Sequence, residues 1–164
     1  GMTITPERQE KVAFTKPYIM DGQIAVVRFT EKRFKTYKDL GKTVVGAQKD
    51  SSAIKAIAKM PNPPAAVKEY ADNPKALLDL EAGRTDAVII DNVAGRHAIS
   101  KRIGKFKALP GNISKEPFGI AFRKADADLR NAVQKTIDEM VADGTLAKIS
   151  KKWFAEDITN PEKW

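Results

Sequence analysis

The chain has 164 residues, 42% of them hydrophobic and 30% charged, enough for a buried core without metals or disulfides. It contains no cysteine and one histidine, His97, which excludes thiolate chemistry and leaves almost nothing for a metal site or a His-dependent triad. The net charge of +8 points to nucleic acid or an anionic surface as partners to be weighed. The 29 Lys and Arg residues are interleaved with 21 acids, however. The densest basic groups, at 101–107 and 148–152, offer few exposed-looking aromatics on which bases would stack, so no nucleic-acid partner is expected. No apolar stretch reaches the ~20 residues of a membrane span, and Gly1-Met2-Thr3 does not open a signal peptide.

Thr5-Pro6-Glu7-Arg8 reads as a helix start, with Thr5 as N-cap and Pro6 in the first turn. Extended segments are expected at Gln23 to Val27 and Thr43 to Ala47, followed by a helix capped by Ser51 or Ser52 and running to about Lys59. Met60 to Pro64 breaks the chain, and Ala66 to Tyr70 reads as a short strand. A helix follows, with Pro74 near its start and Gly83 as terminator. Asp86 to Asp91 is an apolar run of the buried parallel type, Asn92 to about Lys101 a helix, and Phe106 to Leu109 a strand. Phe118 to Phe122 is extended. A long amphipathic helix carries Leu129, Val133, Ile137, Met140 and Val141 up to Gly144, and a last helix runs from Thr145 to Trp153. Strands alternating with helices predict an α/β fold with a mostly parallel sheet.

Several stretches together resemble the periplasmic polar amino-acid-binding proteins of ATP-binding cassette importers. They are residues 2–8 (MTITPER) with Val12, Phe14 and Pro17-Tyr18; residues 37–46; residues 78–91 (LDLEAGRTDAVIID); residues 119–124; and residues 143–154. They lie in order over nearly the whole chain. The resemblance implies a periplasmic-binding-protein type II-like fold. It has one complete lobe at 23–115, with the end of the first lobe at 1–22 and its returning part at 116–164. Family members carry several dozen further residues ahead of the segment matched by Thr5, so the first lobe is expected to be incomplete here. Its helices would then present an apolar face, and a homodimer burying that face is expected.

The resemblance implies a free amino acid as ligand, no catalysis, no cofactor, a membrane permease as partner, and a periplasmic or extracellular location. In this family two lobes close on the ligand about a hinge. On the residues alone Arg8 reads first as a solvent-facing side chain beside Glu7; the resemblance reverses that, matching Arg8 to the carboxylate-binding arginine and Thr3 to a position contacting the ammonium or carboxylate. Ser51 and Ser52 lie between a strand and a helix, where hydroxyls and free N–H groups receive an anion, or where they simply cap. Asp91 closes a strand at the sheet edge where α/β folds bind ligands; it either pairs with the ligand ammonium or caps the next helix. Gln48 and Ile90 are expected to shape the side-chain pocket. The family usually has Gly at the position of Asp50, whose charge would oppose a carboxylate. His97 reads as structural. The rival readings are a dehydratase-like enzyme of the same fold, a sensor input domain, and a non-binding remnant that self-associates.

Overall fold

The computed structural model describes residues 1–154 and 157–159. In chain order its elements are β1 (Met2–Thr3), α1 (Pro6–Gln9), β2 (Ala13–Phe14), β3 (Ile19–Asp21), β4 (Gln23–Arg28), β5 (Val44–Gln48), α2 (Ser52–Ala58), β6 (Ala66–Tyr70), α3 (Asn73–Glu81), β7 (Ala87–Asp91), α4 (Asn92–Lys101), β8 (Phe106–Ala108), β9 (Glu116–Gly119), β10 (Ala121–Phe122), α5 (Ala127–Ala142) and α6 (Thr145–Phe154). A 3₁₀ turn at Tyr37–Leu40 precedes β5. The chain divides into two compact units, one of Gly1–Asp21 with Glu116–Trp164, the other of Gly22–Lys115.

Unit two (22–115) is built on a five-stranded sheet in the order β6-β5-β7-β4-β8. Strands β6, β5 and β7 run parallel, whereas β4 pairs antiparallel with both β7 and β8. The sheet is therefore mixed rather than mostly parallel. An apolar run announces a buried strand but not its direction, which explains the difference. Alternation along the strands feeds two core layers. Ala25, Val27, Val45, Ala47, Ala87 and Ile89 face α2 and Leu40, while Ile24, Val26, Val88 and Ile90 face Leu77 and Leu80 of α3. Helix α3 is capped by the side chain of Asp72, which accepts from Lys75 N at 2.8 Å, and the chain leaves it through Gly83 at φ +76°.

A charged network closes one end of this unit. Arg28 donates to the carbonyls of Leu80 (2.9 Å) and Thr85 (2.8 Å), and Arg33 grips the buried Glu31 carboxylate and reaches Asp86 at 2.8 Å. The Arg33 hydrogen bonds hold the Glu31 carboxyl at about 2, well below its ordinary 4.5, against the opposing effect of burial. A carboxyl depressed on folding stabilises the fold above its unfolded pKa and loses that contribution as pH falls through the folded one. Stability is thus expected to drop between pH 4.5 and about 2. With Arg33 half exposed, Glu31 accounts for on the order of 1–2 kcal/mol of that drop. Urea unfolding of Glu31→Gln over that window checks this, since the substitution should flatten the profile there.

Unit one (1–21 and 116–164) contains a three-stranded antiparallel sheet, β1-β9-β3, and the pair β10-β2. The segment 118–122 does not form one continuous strand. Ile120 instead exchanges bonds with Thr15, whose N donates to the Ile120 carbonyl and whose Oγ1 accepts the Ile120 N–H, both at 3.0 Å. Helix α5 ends at Ala142, the chain turns through Gly144 at φ +76°, and α6 packs against α5. Ile137 is buried, yet Leu129, Val141, Ile149 and Trp153 are exposed. An apolar groove of about 430 Å³ opens between α5, Tyr18, Ile120 and Leu146.

Candidate functional site

In unit two, parallel β5 and β7 place their carboxyl ends, Gln48 and Asp91, on the same edge of the sheet. Because β4 runs antiparallel to β7, its first residue, Gln23, arrives at that edge directly opposite Asp91. The Gln23 side chain is 1% exposed, and its amide donates both to Asp91 Oδ1, at 2.5 Å, and to Ser52 Oγ, at 3.1 Å. A carboxylate and a hydroxyl from residues 39 positions apart are thereby fixed side by side through one buried amide.

Asp91 occupies the N-cap position of α4 but makes no capping bond; its carboxylate turns to Gln23 instead. Helix α4 can lie this close to the sheet because Gly95 faces Ile24 and Ile90, where a Cβ would approach to 3.0 Å. Ser51 likewise holds the N-cap position of α2 without capping it, since its hydroxyl donates to the Gln48 carbonyl at 2.6 Å. Asp50 adopts φ +57°, the left-handed region that glycine enters freely and that Asp tolerates better than most residues. The backbone therefore keeps a glycine-like shape at this corner, and the carboxylate is exposed.

Ile90 differs from its expected role. It is 2% exposed and belongs to the core layer under α4, because its position in β7 points it away from the edge. Gln48 is half-buried at the end of β5. His97 is exposed on α4, and the described residues contain no group of His, Cys, Asp or Glu placed to hold a metal.

Unit one carries the other two candidates. Thr5 caps α1 by accepting from Arg8 N at 3.3 Å, and the Arg8 guanidinium folds back to donate to the Thr3 carbonyl at 2.8 Å. The Thr3 hydroxyl donates to Glu116 Oε2 at 3.0 Å across β1 and β9. Thr3 is therefore buried and engaged within its sheet, and it orients Arg8 through its backbone. Neither Gln23 nor Glu116 stood out in the sequence; each acts through partners distant along the chain.

The chain is 33% identical over 159 residues to the L-cystine-binding protein TcyJ of Escherichia coli, covering 96% of this chain and 59% of TcyJ. It is 35% identical over 165 residues to the probable amino-acid-binding protein YxeM of Bacillus subtilis, covering 99% of this chain and 62% of YxeM. The chain thus spans about 60% of the length of these curated relatives. Among solved structures, a P235GK mutant of ArgBP from T. maritima superposes with a TM-score of 0.78 at 35% identity, over 95% of this chain and 67% of that one. Residues 1–156 match the family described as bacterial extracellular solute-binding proteins, family 3, and the chain belongs to that family.

Proposed function

We propose that this chain captures a free amino acid for an ATP-binding cassette importer. One observation carries the reading: Gln23 holds a carboxylate, Asp91, and a hydroxyl, Ser52, together at the carboxyl edge of the unit-two sheet. An α-amino acid presents an ammonium and a carboxylate a few ångströms apart, and Asp91 suits the first while the Ser51–Ser52 corner suits the second. Arg8, with a planar guanidinium, and Thr3 are the candidate ligand contacts in unit one. No bond is made or broken in this role. The partner is a membrane permease, and the place of work is outside the inner membrane. The names of the relatives, L-cystine-binding and amino-acid-binding, favour binding over catalysis.

Self-association is a second proposal, carried by the groove in unit one and by exposed Leu129, Val141, Ile149 and Trp153. One set of measurements addresses both. In a thermal-shift panel of the common amino acids with L-cystine included, at least one should raise Tm by roughly 5–10 °C when present at about 100 times its Kd. A flat response to every amino acid at millimolar concentration sinks the binding proposal. Light scattering on the same sample should give twice the 18.1 kDa chain mass, and a clean 18.1 kDa species at high micromolar concentration ends the dimer proposal.

A further inference from the structure

The net positive charge of this protein is confined to one unit. Unit two carries 18 Lys and Arg against 9 Asp and Glu, a net +9, whereas the residues of unit one carry 11 against 12. Within unit two the excess is concentrated further. Segments 28–35 and 101–107 hold eight of the cations and a single acid, Glu31.

These segments are neighbours because β4 pairs with β8, with Arg28 opposite Phe106, and because Phe29 N donates to the Lys105 carbonyl at 2.8 Å. They form two adjoining turns at one end of the β4–β8 ribbon. Each turn projects one apolar side chain into solvent: Ile103 is 88% exposed and Phe29 56%. The turns are held in place. Arg102 and Lys105 both pair with Glu81, at 3.1 and 3.2 Å, and Lys107 Nζ donates to the Glu31 carbonyl at 2.5 Å. Even after Glu31, Glu81 and Asp86 are set against the eight cations, the tip keeps a charge of +5.

We infer that this tip is a docking surface for an anionic phospholipid membrane. Lysine and arginine near such a surface are attracted to its headgroups, and an exposed apolar side chain beside them can enter the boundary between headgroups and acyl chains. Two apolar side chains standing singly among hydrated lysines match that chemistry. A protein partner would call for a contiguous apolar centre depleted of lysine, which this tip does not have. The placement also leaves the proposed ligand site clear. Gln23 and Arg28 are the two ends of β4, about 17 Å of strand apart, and Phe29 lies one residue further on, so contact at the tip does not cover the edge that holds Asp91 and Ser52.

Co-sedimentation of the full chain with vesicles tests this, using phosphatidylcholine alone and phosphatidylcholine mixed with phosphatidylglycerol. Binding is expected to the anionic vesicles only, and to fall as salt rises. Lys101→Gln with Lys105→Gln should weaken it about 30-fold. Ile103→Ser should weaken it roughly threefold with no change in charge. Lys49→Gln with Lys75→Gln, an equal loss of charge at the opposite end of the sheet, should leave it within about twofold. Equal losses from the two lysine pairs would assign the effect to net charge and overturn the proposal. Equal binding to both kinds of vesicle, or to neither, would overturn it as well; the last is the outcome an acidic protein partner predicts.

Discussion

Asp91→Ala is expected to abolish most amino-acid binding, lowering affinity roughly 30- to 1,000-fold while the protein remains folded. Removing one partner of a close charge pair costs a few kcal/mol, because the ligand ammonium would keep its desolvation cost without its counter-charge. The fold itself should survive, since Asp91 is only half-buried and makes no capping bond to α4. Gln23→Met extends the test. It removes the amide that fixes Asp91 and Ser52 but nearly preserves volume, so binding should weaken by about tenfold through lost positioning. Because Gln23 acts in part through Asp91 and in part through Ser52, the losses in the double variant should be less than additive, which isothermal titration can measure. Undiminished binding in Asp91→Ala would remove Asp91 from the site. Additive losses would give Gln23 a role of its own.

Gly22→Ala should be among the most destabilising single methyl additions in the molecule. A Cβ at this position would lie 2.0 Å from the Ser114 carbonyl oxygen, which is backbone and cannot rotate away as a side chain could. Relief requires residues 22–23 and 113–115 to separate. That movement would strain the Gln23 N–H to Ser114 Oγ bond (3.0 Å) and the Ile113 N–H to Gln23 carbonyl bond (2.7 Å). A loss of roughly 2–3 kcal/mol is expected, read as a lower urea midpoint at unchanged slope. Ligand affinity should fall too, since Gln23 would shift with its neighbour. A midpoint equal to that of the parent protein would mean the two segments separate at no cost.

The elements of the fold that the sequence announced are those whose causes are local. The 73–81 helix has Pro74 near its start and its stop at Gly83, and the 87–91 strand is apolar up to its closing Asp91, so each was legible from its own residues. The two- and three-residue strands β1, β2 and β3 were not, because such segments exist only through their partners in β9 and β10. The break at Ile120 was hidden for the same reason: Thr15, 105 positions away, supplies the bonds.

The candidate site divides along the same line. Asp91 and Ser52 could be singled out because each ends or begins an element. Gln23 could not, since only the antiparallel course of β4 brings it opposite Asp91, and an apolar strand pattern carries no direction. Ile90 fails in the opposite sense. Adjacent to Asp91 in sequence, it points by strand alternation to the core face instead of the edge.

The way the ends of unit two meet bears on the order of folding. Pairing β3 with β9, Asp21 opposite Glu116, closes a loop of the 94 residues from 22 to 115. For a flexible segment of that length the length-dependent part of the closure entropy is about 4 kcal/mol, more than a three-residue strand can recover. Once unit two has folded, the bonds joining Gln23 to Ile113 and Ser114 have already brought the two chain ends side by side. The inserted unit then acts as a prefolded clasp. Folding of unit two before unit one is therefore the expected order, β3 then meeting β9 as though the two were joined by a short turn.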